Sequence, residues 1–171
     1  MRPNLVETGN TPSEISSFVG RESELARLRE LQVETRLLTI VGPGGVGKTR
    51  LALRLQSNLS DSYIDGTWLV DLTTVTDPLL VPQAVGDVFG VRHQTEESWL
   101  AALSHVLRPR HLLLILDNCE HVVAACADLV NALLHACPWL HVLATSTQPL
   151  RAEGEVTWRL SPLVPAGADF Q

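Results

Sequence analysis

Residues 41–50 read VGPGGVGKTR and contain Lys48, the single lysine of the chain. Within this stretch, GPGGVGKT matches the pattern G-x-x-x-x-G-K-[ST]. The preceding run, RLLTIV at 36–41, is mostly apolar and predicts a buried strand. The following run, TRLALRLQSNL at 49–59, repeats leucine at helical spacing and predicts a helix. Strand, glycine-rich loop and helix in this order predict a loop that binds phosphate groups.

The chemistry of such a loop accounts for its residue types. Glycines let the backbone N–H groups turn inward around phosphates, and the positive end of the helix dipole points to the same place. We expect Lys48 to reach the β- and γ-phosphates, because a compact ammonium suits a tight cradle better than a planar guanidinium. Thr49 is expected to offer its hydroxyl to Mg²⁺. The predicted phosphate-binding residues are Gly42, Gly44, Gly45, Val46, Gly47, Lys48, Thr49 and Arg50.

A separate segment supplies a carboxylate that complements this loop. The run HLLLILDN at 111–118 predicts a buried strand whose carboxyl end delivers Asp117 to the edge where parallel sheets bind ligands. Asp117 and Thr49 are therefore the predicted Mg²⁺ ligands. The alternative is that Asp117 only caps the helix that follows. Asn118 stands where many hydrolases of this class place a second acid, and Glu120 is the nearest carboxylate that could polarise a water, so it is the candidate catalytic residue.

Strands alternate with helices along the whole chain. The remaining predicted strands are TWLVDLTTV at 67–75, HVLATST at 141–147 and EVTWRL at 155–160. The remaining predicted helices are a short amphipathic one with Ser23 as its N-cap and those at 78–89, 98–108 and 121–137. Apolar strands that alternate with helices are typical of a parallel sheet covered on both sides. We therefore predict an α/β fold, a three-layer P-loop NTPase with a mainly parallel five-stranded sheet and helices on both faces.

Composition limits the partners of the chain. With 171 residues and 45% hydrophobic residues the chain can bury a core of its own, and we predict a nucleotide-binding domain at 18–163 between a flexible leader at 1–17 and a tail at 164–171. With a net charge of -6, the chain lacks the excess of basic residues that is typical of nucleic-acid-binding domains, so no direct nucleic-acid contact is expected. The longest aliphatic run, LLLIL at 112–116, is too short to span a bilayer, and we expect a cytoplasmic location without a membrane contact.

Four stretches together resemble a known family. The chain is similar to the signal-transduction ATPases called STAND proteins, relatives of the NB-ARC and AAA+ domains, and within them to the ATPase modules of AfsR-like and large LuxR-type bacterial transcriptional regulators. The stretches that carry this resemblance are SSFVGRESELARL at 16–28, IVGPGGVGKTRLA at 40–52, LLLILDNCEHV at 112–122 and LATSTQPLRAEGEVTWRLSPL at 143–163.

The resemblance implies a regulatory role for bound nucleotide. In similar proteins the Phe-Val-Gly-Arg segment packs on the adenine and ribose, which implies base contacts by Phe18, Val19, Gly20 and Arg21; the alternative for Phe18 is a core position. It also implies an ATP/ADP switch with Mg²⁺ in which hydrolysis resets the state slowly. The implied partners are adenine nucleotide and a protein partner or C-terminal sensor modules, and nucleotide-dependent self-association is a further expectation.

One departure from the family pattern bears on hydrolysis. The family commonly reads Thr-Ser-Arg after the fourth strand, with an arginine that senses the terminal phosphate, whereas this chain has Thr147 at that place. Arg151 lies four residues later and need not reach the nucleotide. Loss of that cation should weaken charge stabilisation during phosphoryl transfer, so we expect slow or absent hydrolysis.

Two alternative functions stay open at this point. The chain could be a protein-interaction module with a vestigial phosphate loop, since the sensor arginine is missing. It could also be a P-loop small-molecule kinase, although the candidate lid at 90–97 offers a single arginine. With no second lysine, the guanine-reading Asn-Lys-x-Asp motif cannot occur.

Overall fold

A computed structural model describes residues 9–12, 20–93 and 96–163 of the chain. The predicted tail at 164–171 and most of the predicted leader lie outside the described residues, as do Phe18 and Val19. Three of the four described leader residues, Gly9, Asn10 and Thr11, contact the edge of the sheet. Gly9 forms a parallel bridge with Thr67, and the Asn10 side chain both donates to and accepts from the backbone of Leu69.

The described residues form one parallel sheet of five strands. The strands are β1 Leu37–Val41, β2 Thr67–Asp71, β3 Leu112–Asp117, β4 Leu140–Ser146 and β5 Val156–Arg159. Their order across the sheet is β2-β3-β4-β1-β5, and every neighbouring pair is parallel. The strand β4 thus separates β1 from β3. The carboxyl ends of all five strands lie at one edge of the sheet.

Helices cover both faces of the sheet. They are α1 Glu22–Glu34, α2 Lys48–Leu59, α3 Val81–Val88, α4 Trp99–Leu107 and α5 Val123–Ala136. Alternate residues of β3 divide between two cores, because successive side chains of a strand point to opposite faces. Leu112 and Leu114 pack with residues of α3, α4 and α5, and Leu113 and Ile115 pack with residues of α1 and α2. The prediction of a three-layer α/β fold with helices on both faces is confirmed.

Most element boundaries differ from the sequence prediction by a few residues, and two of these differences have a local cause. The strand β2 ends at Asp71 and not at residue 75, because the Asp71 carboxylate accepts a hydrogen bond from the backbone N–H of Thr73 at 2.9 Å and turns the chain. The predicted N-cap Ser23 is wrong. The helix α1 begins two residues earlier, with Arg21 as its N-cap in the left-handed conformation at φ 88° and with no side-chain cap.

A cluster of rings lies at the amino ends of the strands, opposite the edge where the loops emerge. Tyr63 makes edge contacts with His111 and His141, with ring centroids 5.3 and 5.4 Å apart. Burial raises the pKa of Tyr63 to about 12, and burial lowers the pKa of His141 from its usual 6.5. The folded protein therefore favours the neutral form of this histidine.

The lowered pKa of His141 predicts a loss of stability in acid. Below pH 6.5 the unfolded chain binds a proton at this histidine that the folded chain resists, so the free energy of unfolding should fall as the pH falls from 6.5 through the folded-state pKa. Urea unfolding between pH 7.5 and 5.5 measures this slope, and we expect it to be shallower in His141→Gln. The exposed His105 provides the control, since His105→Gln should keep the slope of the unaltered protein.

Candidate functional site

The order of the strands brings two distant segments of the sequence to one edge of the sheet. The glycine-rich loop follows β1 and Asp117 ends β3, and only β4 lies between them. Ligands of open parallel sheets bind at the carboxyl ends of the strands. The loop and the carboxylate therefore face the same space.

The glycine-rich loop is held close to the chain that follows β5. A side chain at Gly42 would place its Cβ 2.7 Å from the backbone oxygen of Leu160, so this approach requires glycine. Gly47 is the N-cap of α2 in the left-handed conformation at φ 98°, and no side chain caps the helix. The first N–H groups of α2 thus point toward the loop without a side-chain acceptor, as an anion site at a helix N-terminus requires.

The single lysine lies inside this loop. Lys48 is only 7% exposed, and its Nζ donates a hydrogen bond to the backbone oxygen of Pro43 at 2.9 Å. A cleft of about 220 Å³ opens beside it, lined among others by Gly44, Gly45 and Arg50. The ammonium is therefore placed where phosphate oxygens would enter the cradle of N–H groups.

The predicted pair of Mg²⁺ ligands is in direct contact. The Thr49 hydroxyl donates to the two carboxylate oxygens of Asp117 at 2.8 and 3.0 Å. Asp117 is 4% exposed and also accepts hydrogen bonds from the Thr145 hydroxyl and the Asn118 amide. A hydroxyl and a carboxylate side by side are the hard oxygen donors that Mg²⁺ prefers, so these residues fit the cation.

The alternative role of Asp117 as a helix cap receives no support. The N-cap of α5 is Val122, and no side chain caps that helix. A short 3-10 turn over Cys119–His121 separates the carboxylate from the helix. The Asp117 carboxylate instead accepts hydrogen bonds from the hydroxyl of Thr49, beside the phosphate loop, and from that of Thr145 in β4.

Two polar side chains outside the predicted set of site residues, Asn118 and Asp71, belong to the same network. Asn118 adopts the left-handed conformation at φ 61°, and its Nδ2 donates to Thr73 Oγ1, Asp117 Oδ2 and Asp71 Oδ1 at 2.8, 3.1 and 3.3 Å. Asp71 ends the neighbouring strand, paired in register with Asp117. The hydroxyl of Thr73 is the main cause of a lowered pKa at Asp71. The predicted strand at 67–75 has Asp71 in its interior, so its pattern did not identify this residue as part of the site.

The candidate catalytic residue lies at the cleft but is not in this network. Glu120 lines the cleft together with Asn118 and the loop glycines. Its Oε2 is buried and has no hydrogen-bond partner among the described residues. A buried carboxylate oxygen without a donor is positioned to accept a hydrogen bond from a water in the cleft.

The segment assigned to the base by resemblance is described only in part. Arg21 donates to both oxygens of Glu24 at 3.0 and 3.2 Å and to the backbone oxygen of Ser161 at 2.8 Å. Ser161 follows Leu160, whose backbone contacts the start of the phosphate loop. Gly20 precedes Arg21 with φ 79°. The guanidinium thus fixes the beginning of α1 beside the loop, and the contacts of Gly20 and Arg21 with a base stay a prediction.

The other predicted residues divide between packing and surface positions. Val46 packs against the core that includes α1 and α2. Thr147 is exposed directly after β4, at the place where the resemblance implies a sensor arginine. Arg151 is exposed, and its backbone N–H donates to the Glu155 carboxylate at 2.8 Å.

A larger cavity, of about 350 Å³, lies at the opposite edge of the sheet. Its polar side chains already pair with one another: His135 contacts Glu153 at 3.0 Å, and Asn131 accepts from the backbone N–H of Glu153 at 2.9 Å. The Arg36 guanidinium donates to three backbone oxygens at the end of α5 and the start of β4. This edge therefore stabilises the fold, and the phosphate-loop edge is the candidate site.

The fold and the site together define a nucleotide-binding P-loop domain of the α/β class. Residues 31–148 match the model of the AAA domain family. The chain belongs to this family. Among the described residues, none of the helices combines the length and the apolar character needed to cross a membrane.

Comparisons with individual proteins agree with this assignment. The uncharacterised protein Rv0894 of Mycobacterium tuberculosis is 40% identical over 164 residues, which are 95% of this chain and 42% of that protein. Rv0890c of the same organism, named as an HTH-type transcriptional regulator, is 42% identical over 133 residues, 78% of this chain and 15% of that protein. The chain thus spans less than half the length of these relatives.

A solved structure has the same fold. It is the signal transduction ATPase with numerous domains (STAND) protein PH0952 of Pyrococcus horikoshii, which carries a tetratricopeptide repeat sensor. The TM-score is 0.63 at 18% identity, over 95% of this chain and 26% of that protein. At this identity the likeness concerns the fold alone.

The buried hydroxyl of Thr145 generates a prediction about stability. Thr145 Oγ1 donates to Asp117 and accepts from the backbone N–H of Asn118, so Thr145→Val removes one donor from the buried carboxylate and the acceptor from that N–H. The free energy of unfolding should fall by about 1–3 kcal/mol. Thr39 in β1 is the matched control, because its buried hydroxyl has no partner among the described residues. Urea unfolding should show Thr39→Val to be neutral or stabilising; equal losses in the two variants would contradict the assigned network.

Proposed function

We propose that this chain is an ATP/ADP-binding regulatory switch domain of a STAND-type signalling or transcriptional regulator, with slow or absent ATP hydrolysis. The observation that carries the proposal is the contact between Thr49 and Asp117, at 2.8 and 3.0 Å, next to a loop that encloses Lys48. This contact joins a glycine-rich loop to a strand-end carboxylate some 70 residues away in the sequence. In P-loop proteins, a hydroxyl and a carboxylate placed in this way hold the metal ion that binds the phosphates.

Each part of the site has a role in this proposal. The backbone N–H groups at 44–50 and the Lys48 ammonium bind the phosphates of the nucleotide, since Pro43 has no N–H and that of Gly42 donates to the Ser146 oxygen at 3.2 Å. Thr49 and Asp117 hold Mg²⁺, which neutralises charge on the phosphate oxygens when it is bound. Phe18, Val19, Gly20 and Arg21 contact the adenine and ribose, a role that comes from the family resemblance.

Slow hydrolysis follows from what surrounds the terminal phosphate. Thr147 is exposed at the place of the sensor arginine, so no cation from that position stabilises charge on the departing phosphoryl group. Glu120 orients a water through its buried, unpaired carboxylate oxygen. Without a cation at the terminal phosphate, a carboxylate that orients water supports only slow hydrolysis of ATP. Slow hydrolysis suits a switch, because the protein then stays in the ATP-bound state for longer.

The regulatory part of the proposal is supported by the lengths and names of similar proteins. Rv0890c is named as an HTH-type transcriptional regulator and PH0952 as a STAND protein with a repeat sensor, and the matched segment is 15% and 26% of their lengths. A domain of this kind would act on other modules or on a protein partner, with self-association as one route. The net charge of -6 disfavours direct nucleic-acid binding by this chain, so any such contact would come from another part of a regulator. The site of action would be the cytoplasm.

Removal of the lysine tests phosphate binding. Lys48→Ala loses the charged donor of the loop, which should weaken binding of Mg-ATP and ADP by about 10- to 100-fold, the equivalent of a hydrogen bond to a charged group. Isothermal titration calorimetry with Mg-ATP, ADP and GTP measures the affinities, and circular dichroism melting checks the fold. Arg27→Ala, which removes a charge from the exposed face of α1, should leave the affinities unchanged. Unaltered ATP binding in Lys48→Ala would refute the phosphate-loop assignment.

Removal of the carboxylate at residue 120 tests hydrolysis separately from binding. Glu120→Gln keeps the shape of the side chain but is a far weaker base, so phosphate release should fall about 100-fold while the affinity for Mg-ATP stays the same. The measurement is released phosphate at saturating Mg-ATP, with Glu97→Gln on an exposed segment as the control. If the unaltered protein binds ATP without any release, Glu120 has no catalytic role and the domain binds without turnover.

A further inference from the structure

We infer that Asp71 is a positioning residue of the metal site, which acts through the Asn118 amide to fix the orientation of the Asp117 carboxylate. The inference deepens the proposed function and rests on it, because Asp117 matters in this way only if the site binds Mg²⁺ with nucleotide. Asp71 itself is not proposed as a metal ligand. Three features of the geometry support this role.

The first observation is that one amide nitrogen serves two carboxylates. Asn118 Nδ2 lies 3.1 Å from Asp117 Oδ2 and 3.3 Å from Asp71 Oδ1. A side-chain amide donates through its nitrogen and accepts through its oxygen. If the Asn118 amide were turned round, its oxygen would face two carboxylate oxygens, which are also acceptors. The nitrogen must therefore point between the two acids, and the amide joins them.

The second observation is that Asp71 is itself fixed. Its Oδ1 accepts from the backbone N–H of Thr73 at 2.9 Å and from the Thr73 hydroxyl at 2.5 Å. The Thr73 hydroxyl also receives a hydrogen bond from Asn118 Nδ2 at 2.8 Å. Because Asp71 and Asp117 are register partners on adjacent strands, this turn anchors the amide to the sheet.

The third observation concerns the division of hydrogen bonds at Asp117. Thr145 donates to Oδ1, whereas the Asn118 amide donates to Oδ2, and Thr49 reaches both oxygens. Without the amide, Oδ2 keeps only the Thr49 hydroxyl, which is the group that Mg²⁺ would also engage. The carboxylate could then rotate away from the metal-binding orientation.

This arrangement also explains the residue type at position 118. An aspartate there would bring a third carboxylate within about 3.5 Å of two others, and like charges at that distance disfavour ionisation. Asparagine provides the donor that the two acids require, and it tolerates the left-handed backbone at φ 61° better than most residues. The residue after Asp117 is therefore suited to orienting an acid and not to acting as one.

The test compares how much Mg²⁺ improves ATP binding in matched variants. Calorimetric affinities for ATP are measured with excess Mg²⁺ and with EDTA, and their ratio defines the magnesium benefit. Partners that hydrogen-bond a metal ligand typically change metal affinity 10- to 100-fold, so Asp71→Ala should reduce the benefit by about tenfold or more and leave the affinity in EDTA unchanged. Asp71→Asn keeps the shape of the side chain and should also reduce the magnesium benefit. It takes the place of Asp71→Ala if that variant does not fold.

Asp77 provides the matched control. It is also an exposed aspartate whose Oδ1 accepts a backbone N–H two residues later, that of Leu79 at 3.0 Å, but it has no contact with Asn118. Asp77→Ala should leave the magnesium benefit unchanged. A loss of benefit equal to that of Asp71→Ala would show a general effect of charge and overturn the inference.

A double-mutant cycle decides whether Asp71 acts through Asn118. Asn118→Ala should reduce the benefit as Asp71→Ala does, and the double variant should lose no more than the larger single loss, because the two residues form one connection. Additive losses would overturn the inference, as would an unchanged benefit in a folded Asp71 variant, while the proposed function would stand. No ATP binding by the unaltered protein in either buffer would overturn both.

Discussion

The carboxylate of Asp117 accepts hydrogen bonds from three separate parts of the fold, and the geometry of the whole site depends on them. Thr49 belongs to the helix after the phosphate loop, Thr145 to the central strand β4, and Asn118 to the turn that links the site to β2. A buried charge is tolerated only when such donors surround it. The same donors fix the distance between the phosphate loop and the end of β3. These contacts thus join the candidate site to α2, to β4 and to the turn after β3.

The two edges of the sheet have different roles for a physical reason. At the amino ends of the strands, rings pack on one another and the Arg36 guanidinium donates to the last backbone oxygens of α5, so these contacts join parts of the fold to one another. At the carboxyl ends, the first turn of α2 has no side-chain cap and Glu120 keeps a buried oxygen without a described partner. Both the start of α2 and Glu120 line the cleft where the nucleotide is proposed to bind. Stability and binding are therefore separated along the strands.

Membership of the AAA domain family and the proposed switch function fit this geometry. Binding needs the loop, Lys48, Thr49 and Asp117, and these come together in the described residues. Rapid turnover needs in addition a cation at the terminal phosphate, and position 147 carries threonine. A site that favours binding over turnover suits regulation, because the bound nucleotide then defines a state of the protein that lasts.

The sequence alone determined the fold class and the phosphate loop, because each depends on local pattern: an apolar strand, glycines at fixed spacing and a helix start. The end of an apolar strand predicted Asp117 as the partner of Thr49, and the order of the strands brings the two into contact. Element boundaries that depend on a side chain turning the backbone, such as the end of β2 at Asp71 and the start of α1 after Arg21, were not predictable from periodicity. Only the tertiary structure decided that Asp71 and Asn118 join the site. The order β2-β3-β4 places their strands side by side, and strand order follows from the packing of the whole sheet, which no local pattern encodes.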